Sequence, residues 1–112
     1  MNPKGGGSDH RKIVVKIDPD LEELIPGYLQ NRMNDVHDVQ VLLNNADFES
    51  IQRMGHTMKG SGGGYGFDFI SAIGFALEDG AKEKDANKIQ NSLKDLCDFL
   101  ERVEVVYQEE KF

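Results

Sequence analysis

The chain has 112 residues, 38% of them hydrophobic, which is enough for one modest core and too little for two, so a single domain is expected. Its formal net charge of -7 and sequence pI of about 4.8 deprive it of the basic field that would hold nucleic-acid phosphates or an anionic membrane surface. The single cysteine, Cys97, excludes an internal disulfide and a thiolate metal cluster and fits a reducing, cytoplasmic setting, and no apolar run reaches the length of a signal-peptide core or a membrane span.

Residues 1–12 are rich in glycine and polar side chains and read as a flexible tail, with the domain proper expected over residues 13–112. Ile13-Val-Val-Lys-Ile17 is a short apolar run with no evident partner run, so it is expected to lie extended against helices and not to build a sheet. From Leu21 onward, apolar residues recur at Leu24, Ile25, Tyr28, Leu29, Met33, Val36 and Leu43 at helical spacing. Pro26 interrupts that series. Because proline is tolerated at a helix start and costly inside, a turn through Leu21 to Ile25 should lead into a helix beginning near Pro26. Asn44, Asn45 and Asp47 mark its end.

Asp47 is a good N-cap for a second helix, with Glu49 in the first turn where negative charge meets the positive end of the dipole. This helix carries Phe48, Ile51, Met54, Met58 and Tyr65, and Gly66 suits a tight junction that needs positive φ. Asp68 is the expected cap of a third helix, whose inward face holds Phe69, Ile70, Ile73, Ala76, Leu77 and Ala81 before the polar run Lys82-Glu-Lys-Asp85. Ile89, Leu93, Leu96, Leu100, Val103 and Tyr107 then alternate steps of four and three, a seam predicting one long last helix. The fold class is therefore all-α, an antiparallel four-helix bundle preceded by a short extended or helical segment.

At roughly 100° per residue, Ile51, Met54, Met58, Gly62 and Tyr65 share one stripe of the second helix, and His56 lies about 140° from Ile51, facing away from the core. Gln52, Arg53, Lys59, Gly60 and Gly63 surround it on the outer face. Neutral imidazole is a competent nucleophile near neutral pH and can bond covalently to phosphorus. Lys59, three residues on, is placed to meet phosphate charge, and Gly60, one turn on, removes a side chain where another protein's active site would approach. Glycine at interior helix positions costs about 1 kcal/mol each relative to alanine, so Gly60, Gly62, Gly63 and Gly64 would be a poor choice for a purely structural helix. The glycine run lacks the Gly-Lys-Ser/Thr ending of a nucleotide-binding P-loop. His10, His37 and His56 are too far apart to share a metal.

His56-Thr-Met-Lys59-Gly60-Ser61 with the downstream Gly66 resembles the His-x-x-Lys-Gly-Ser segment of the histidine-containing phosphotransfer (HPt) domains. Leu77-Glu78 with Ala81 is similar to the family's Leu-Glu-x-x-Ala segment, and Leu24-Ile-Pro-Gly-Tyr28-Leu29 is similar to the first helix of its stand-alone members. The resemblance covers about residues 18 to 107. It implies a four-helix fold, phosphorylation of His56 through Nε2 and support of the phosphate by Lys59. It also implies a phosphocarrier without a nucleotide site, exchanging phosphoryl groups with response-regulator receiver domains and a hybrid sensor kinase. No cofactor is expected on this chain; Mg²⁺ belongs to the receiver, where it stabilises the transferring group. Met58 stands where leucine is common, a tolerable exchange in a core, and Gly62 stands where serine or alanine is frequent, which is expected to loosen the helix.

Gln52, Arg53, Gly60 and Gly63 are the expected docking contacts. Glu78 reads as a structural or surface acid, Cys97 as a small buried hydrophobe and His37 as surface. Two other classes of function compete: a helical interaction module that binds receivers or kinases without carrying phosphate, and the dimerisation and phosphoacceptor domain of a sensor kinase. The latter usually follows its histidine with an acid, where this chain has Thr57, and completes its bundle from two chains. A chain with enough amphipathic helices to close a bundle alone is expected to be a monomer.

Overall fold

The computed structural model describes residues 11–109; residues 1–10 of the expected tail and the last three residues of the expected domain lie outside them. A strand β1 (Ile13–Ile17) leads through a 3-10 turn (Pro19–Leu21) into four helices: α1 (Ile25–Asn44), α2 (Phe48–Tyr65), α3 (Asp68–Lys82) and α4 (Ala86–Arg102). A second strand, β2 (Val103–Tyr107), follows α4 without a break. The bundle is all-α and antiparallel apart from this strand pair.

The strand pair corrects two expectations. Ile13–Ile17 does find a partner, pairing in parallel with β2 in the register Ile13↔Val103, Val15↔Val105 and Ile17↔Tyr107. The last helix ends at Arg102 instead of running to Tyr107. Val103 and Tyr107 are four apart, as a helix face requires, but Val103, Val105 and Tyr107 also alternate as a strand face requires, and the β-branched run favours the latter. These three residues and Ile13, Val15 and Ile17 pack against the core, while Val14 and Glu104 point outward as a pair.

α1 starts at Ile25, with Pro26 in its first turn, because proline's missing N–H falls among donors that have no intrahelical partner anyway. Its buried residues are Ile25, Tyr28 and Val39, whereas Leu24 and Met33, expected on that face, are 53% and 41% exposed. α2 is capped by Asp47, whose carboxylate accepts from the backbone N–H of Ser50 at 3.1 Å and its hydroxyl at 2.8 Å. Those two bonds hold the Asp47 carboxyl below the usual range. At the other end, Gly66 adopts φ 93° and Phe67 N–H reaches back to Gly62 O at 2.7 Å, a left-handed helix stop that glycine adopts without a Cβ penalty. Phe67, not Asp68, is the N-cap of α3; Asp68 sits in the first turn.

The core joins Ile17, Ile25, Val39, Ile51, Met58, Ile70, Leu77, Ile89, Leu96 and Phe99. Tyr28, Tyr65 and Phe67 form an aromatic group within it, with ring centroids 4.5 Å (Tyr28–Tyr65) and 5.8 Å (Tyr28–Phe67) apart. Among the described residues, no helix is long and apolar enough to cross a membrane.

Candidate functional site

Three glycines determine how α2 meets α3. A Cβ on Gly55 would come within 2.6 Å of Glu78 N, and one on Gly62 within 2.5 Å of Ser71 N. From the opposite side, a Cβ on Gly74 would run into the Lys59 backbone. The two backbones are therefore in contact along this seam, closer than any larger residue allows. Ser71 adds a crossing hydrogen bond, its hydroxyl donating to Lys59 O at 2.8 Å. Gly62 is thus a packing requirement, whatever its cost to the helix. Gly60 and Gly64 differ, since nothing lies within 4 Å of where their Cβ atoms would be.

This close approach brings Glu78 of α3 up beside the outer face of α2. His56 is exposed, with 68% of its side chain open to solvent, while the Glu78 side chain is 11% exposed. His56 Nδ1 lies 3.1 Å from Glu78 Oε2, and Lys59 Nζ donates to Glu78 Oε1 at 2.9 Å. One carboxylate therefore ties both residues. The hydrogen bond from Lys59 is the main cause that holds the Glu78 carboxyl below its usual range; partial burial opposes it, and the contact with His56 adds to it. A carboxylate in this state only accepts, so Nδ1 is the ring nitrogen that donates to it and Nε2 is the one left without a contact to Glu78.

Lys59 was expected to point at a phosphate on His56; in this structure it is paired with Glu78 and lies over the exposed Phe75 ring, 5.8 Å from the centroid. Arg53, Gly60 and Gly63 are exposed and Gln52 half-buried on the same helix. Arg53 contacts Glu49 at 3.4 Å and receives no fixed position from the rest of the fold. Thr57 is exposed beside His56. Ser61 is held from α1, by a 2.9 Å hydrogen bond with the Tyr28 hydroxyl. His37 is exposed, as expected, and Cys97 is half-buried instead of buried.

Sequence reading missed Glu78 as a member of this cluster and did not single out Gly55 or Gly74. The available signal for the glycines was their seven-residue spacing, Gly55 to Gly62, on the buried stripe. Glu78 gave no signal by periodicity alone, because its partner is on another helix. A cavity of about 1030 Å³ lies at the far end of α2, bordered by the strand ends and Gly63 to Gly66, and His56 does not line it. Among the described residues, no group of histidine, cysteine and acidic side chains could hold a metal ion.

The chain matches the family model for the Hpt domain over residues 23–105. No curated protein and no solved structure matches it.

Proposed function

The chain belongs to the Hpt domain family, whose members carry phosphoryl groups on histidine in two-component signalling, and on that premise we propose that His56 is the phosphoacceptor of a relay protein that exchanges with receiver-domain aspartates. The observation that carries this reading is the 3.1 Å contact of His56 Nδ1 with Glu78 on a side chain that is otherwise open to solvent. It leaves Nε2 as the outward-facing nucleophile.

In the forward step, the Nε2 lone pair attacks the phosphorus of a receiver's aspartyl phosphate. The new N–P bond forms as the bond to the aspartate oxygen breaks, and that oxygen leaves as a carboxylate. Positive charge then develops on the ring, and Glu78 stabilises it through the Nδ1 proton. Lys59, held 2.9 Å from Glu78, needs only to exchange one oxyanion for another to reach the phosphate. The bare surfaces of Gly60 and Gly63 admit the receiver. Its own Mg²⁺ serves the transferring group, so this chain acts as a carrier and not as a kinase. A hybrid sensor kinase supplies phosphate upstream, and the setting is cytoplasmic, in keeping with a free Cys97.

Mass spectrometry after incubation with a phosphorylated receiver domain, or with phosphoramidate as a small-molecule donor, is the test. Wild type gains one acid-labile phosphate, assigned to Nε2 by phosphorus NMR, and His56→Gln gains none. Label persisting on His56→Gln, or absent from wild type, sinks the assignment and favours a module that binds without carrying phosphate.

A further inference from the structure

Phe75 leaves a large aromatic side chain 57% exposed on α3, about one helical turn before Glu78. Its ring centroid lies 5.8 Å from the Lys59 ammonium, inside the distance of about 6 Å at which a cation is drawn to an aromatic face. Phe69, another exposed phenylalanine of α3, stacks on Phe99 with centroids 5.0 Å apart. Phe75 covers a charge instead.

The backbone holds this pair in register. The turn of α3 that carries Phe75 is pressed against Lys59: a Cβ on Gly74 would stand 2.4 Å from Lys59 N, and the Ser71 hydroxyl donates to Lys59 O at 2.8 Å. The Lys59 ammonium then meets α3 through Glu78 Oε1, at 2.9 Å, and through the Phe75 ring. These two contacts differ in kind. A carboxylate neutralises the charge it binds, whereas the quadrupole of a ring attracts the ammonium and leaves its charge whole. The ring also shelters the four-carbon stem, which leaves the lysine fewer orientations than it would have in water.

We propose that Phe75 is a positioning residue for Lys59: its ring face keeps the ammonium in place as the lysine passes from Glu78 to a phosphoryl group on His56, so that the charge is pre-organised and not released into water on the way. The inference rests on His56 as the phosphoacceptor and on Lys59 as the residue that meets its phosphate. Phe75 makes no bond in the transfer and acts only through the lysine.

The test uses the full chain and phosphoramidate, a donor too small to need a docking surface. Phe75→Leu keeps an apolar side chain and removes the ring, while Phe75→Trp keeps a ring face. The position is exposed, so both variants fold, which far-UV circular dichroism checks. Labelling of His56 is expected to slow about threefold in Phe75→Leu and to run at the wild-type rate or above in Phe75→Trp. In a Lys59→Met background, Phe75→Leu should cause no further loss, because the two residues act as one unit. By NMR, the Lys59 ε-methylene protons carry a ring-current shift in wild type that Phe75→Leu abolishes. Phe69→Leu leaves the labelling rate as it is. Wild-type labelling by Phe75→Leu, or an equal loss with and without Lys59, overturns the positioning role while His56 stands as acceptor. Slowing seen only when a receiver domain is the donor does the same, since it makes Phe75 a partner contact. Failure of phosphoramidate to label wild type overturns both readings.

Discussion

Glu78 is where a single side chain decides most. Replacing it by alanine frees the ring and leaves Lys59 without its partner, whereas Glu78→Gln keeps an oxygen that can accept from Nδ1 and removes only the charge. Phosphoramidate labelling of His56 is therefore expected to fall in the order wild type, Glu78→Gln, Glu78→Ala, and a Gln variant as impaired as Ala would show that charge, not ring orientation, is what matters. The same residue sets a pH dependence. Its carboxyl is depressed below the ordinary value of 4.5 by Lys59 first and His56 after partial burial is overcome. A depressed acid binds its proton more readily in the unfolded chain, so its stabilisation is complete above the unfolded value and fades as pH falls through the folded one. Urea denaturation of wild type and Glu78→Gln should accordingly differ at pH 7 and converge as the pH falls below 4.5 and through the depressed folded value; a gap that persists at the lowest pH would mean the loss is one of shape.

The helices show which glycines serve packing and which serve access. Gly74→Ala forces its Cβ into the Lys59 backbone, and overpacking of this kind costs about 1–3 kcal/mol. Gly60→Ala meets open space and should stabilise by about 0.8–1 kcal/mol through helix propensity alone. Equilibrium unfolding of the two variants checks the contrast, and Gly60→Ala should at the same time slow transfer from a receiver, because the methyl group stands one turn from His56. Much of this level was legible beforehand. The caps at Asp47 and Gly66, the outward placement of His56 and the seam through Ile89, Leu93 and Leu96 all follow from periods and capping rules that act within one helix. Glu78 beside His56 did not, since the contact is set by how closely two helices approach, and that depends on Gly55, Gly62 and Gly74 acting together across the interface. The strand pair escaped for a related reason: Ile13–Ile17 and Val103–Tyr107 are separated by the whole bundle, and neither run alone outweighs the helical spacing of Val103 and Tyr107.

For the molecule as a whole, the strand pair ties the two ends of the described chain to the same part of the core. Ile17 is 1% exposed and belongs to the main cluster, and its Cδ1 lies 3.2 Å from where a Gly66 Cβ would stand, so it supports the turn that ends α2 and starts α3. Backbone bonds continue the tie past the ladder, from Gln108 N–H to Ile17 O at 3.0 Å, and Arg102 Nε donates to Arg11 O at 2.8 Å. A two-stranded sheet has little stability of its own; what holds it is the inner face of Ile13, Val15 and Ile17 with Val103, Val105 and Tyr107 packed on helices. Ile17→Ala should therefore cost about 2–5 kcal/mol, as cavities in a closed core do, whereas Val14→Thr, 57% exposed, should change stability by less than about 0.5 kcal/mol. Because β1 meets α2 at the Gly66 end and His56 lies nearly three turns earlier in that helix, the Ile17→Ala domain that remains folded should accept phosphate from phosphoramidate at the wild-type rate. A matching loss of labelling per folded molecule would mean instead that the strand pair sets the register of α2 against α3, and so the distance between His56 and Glu78.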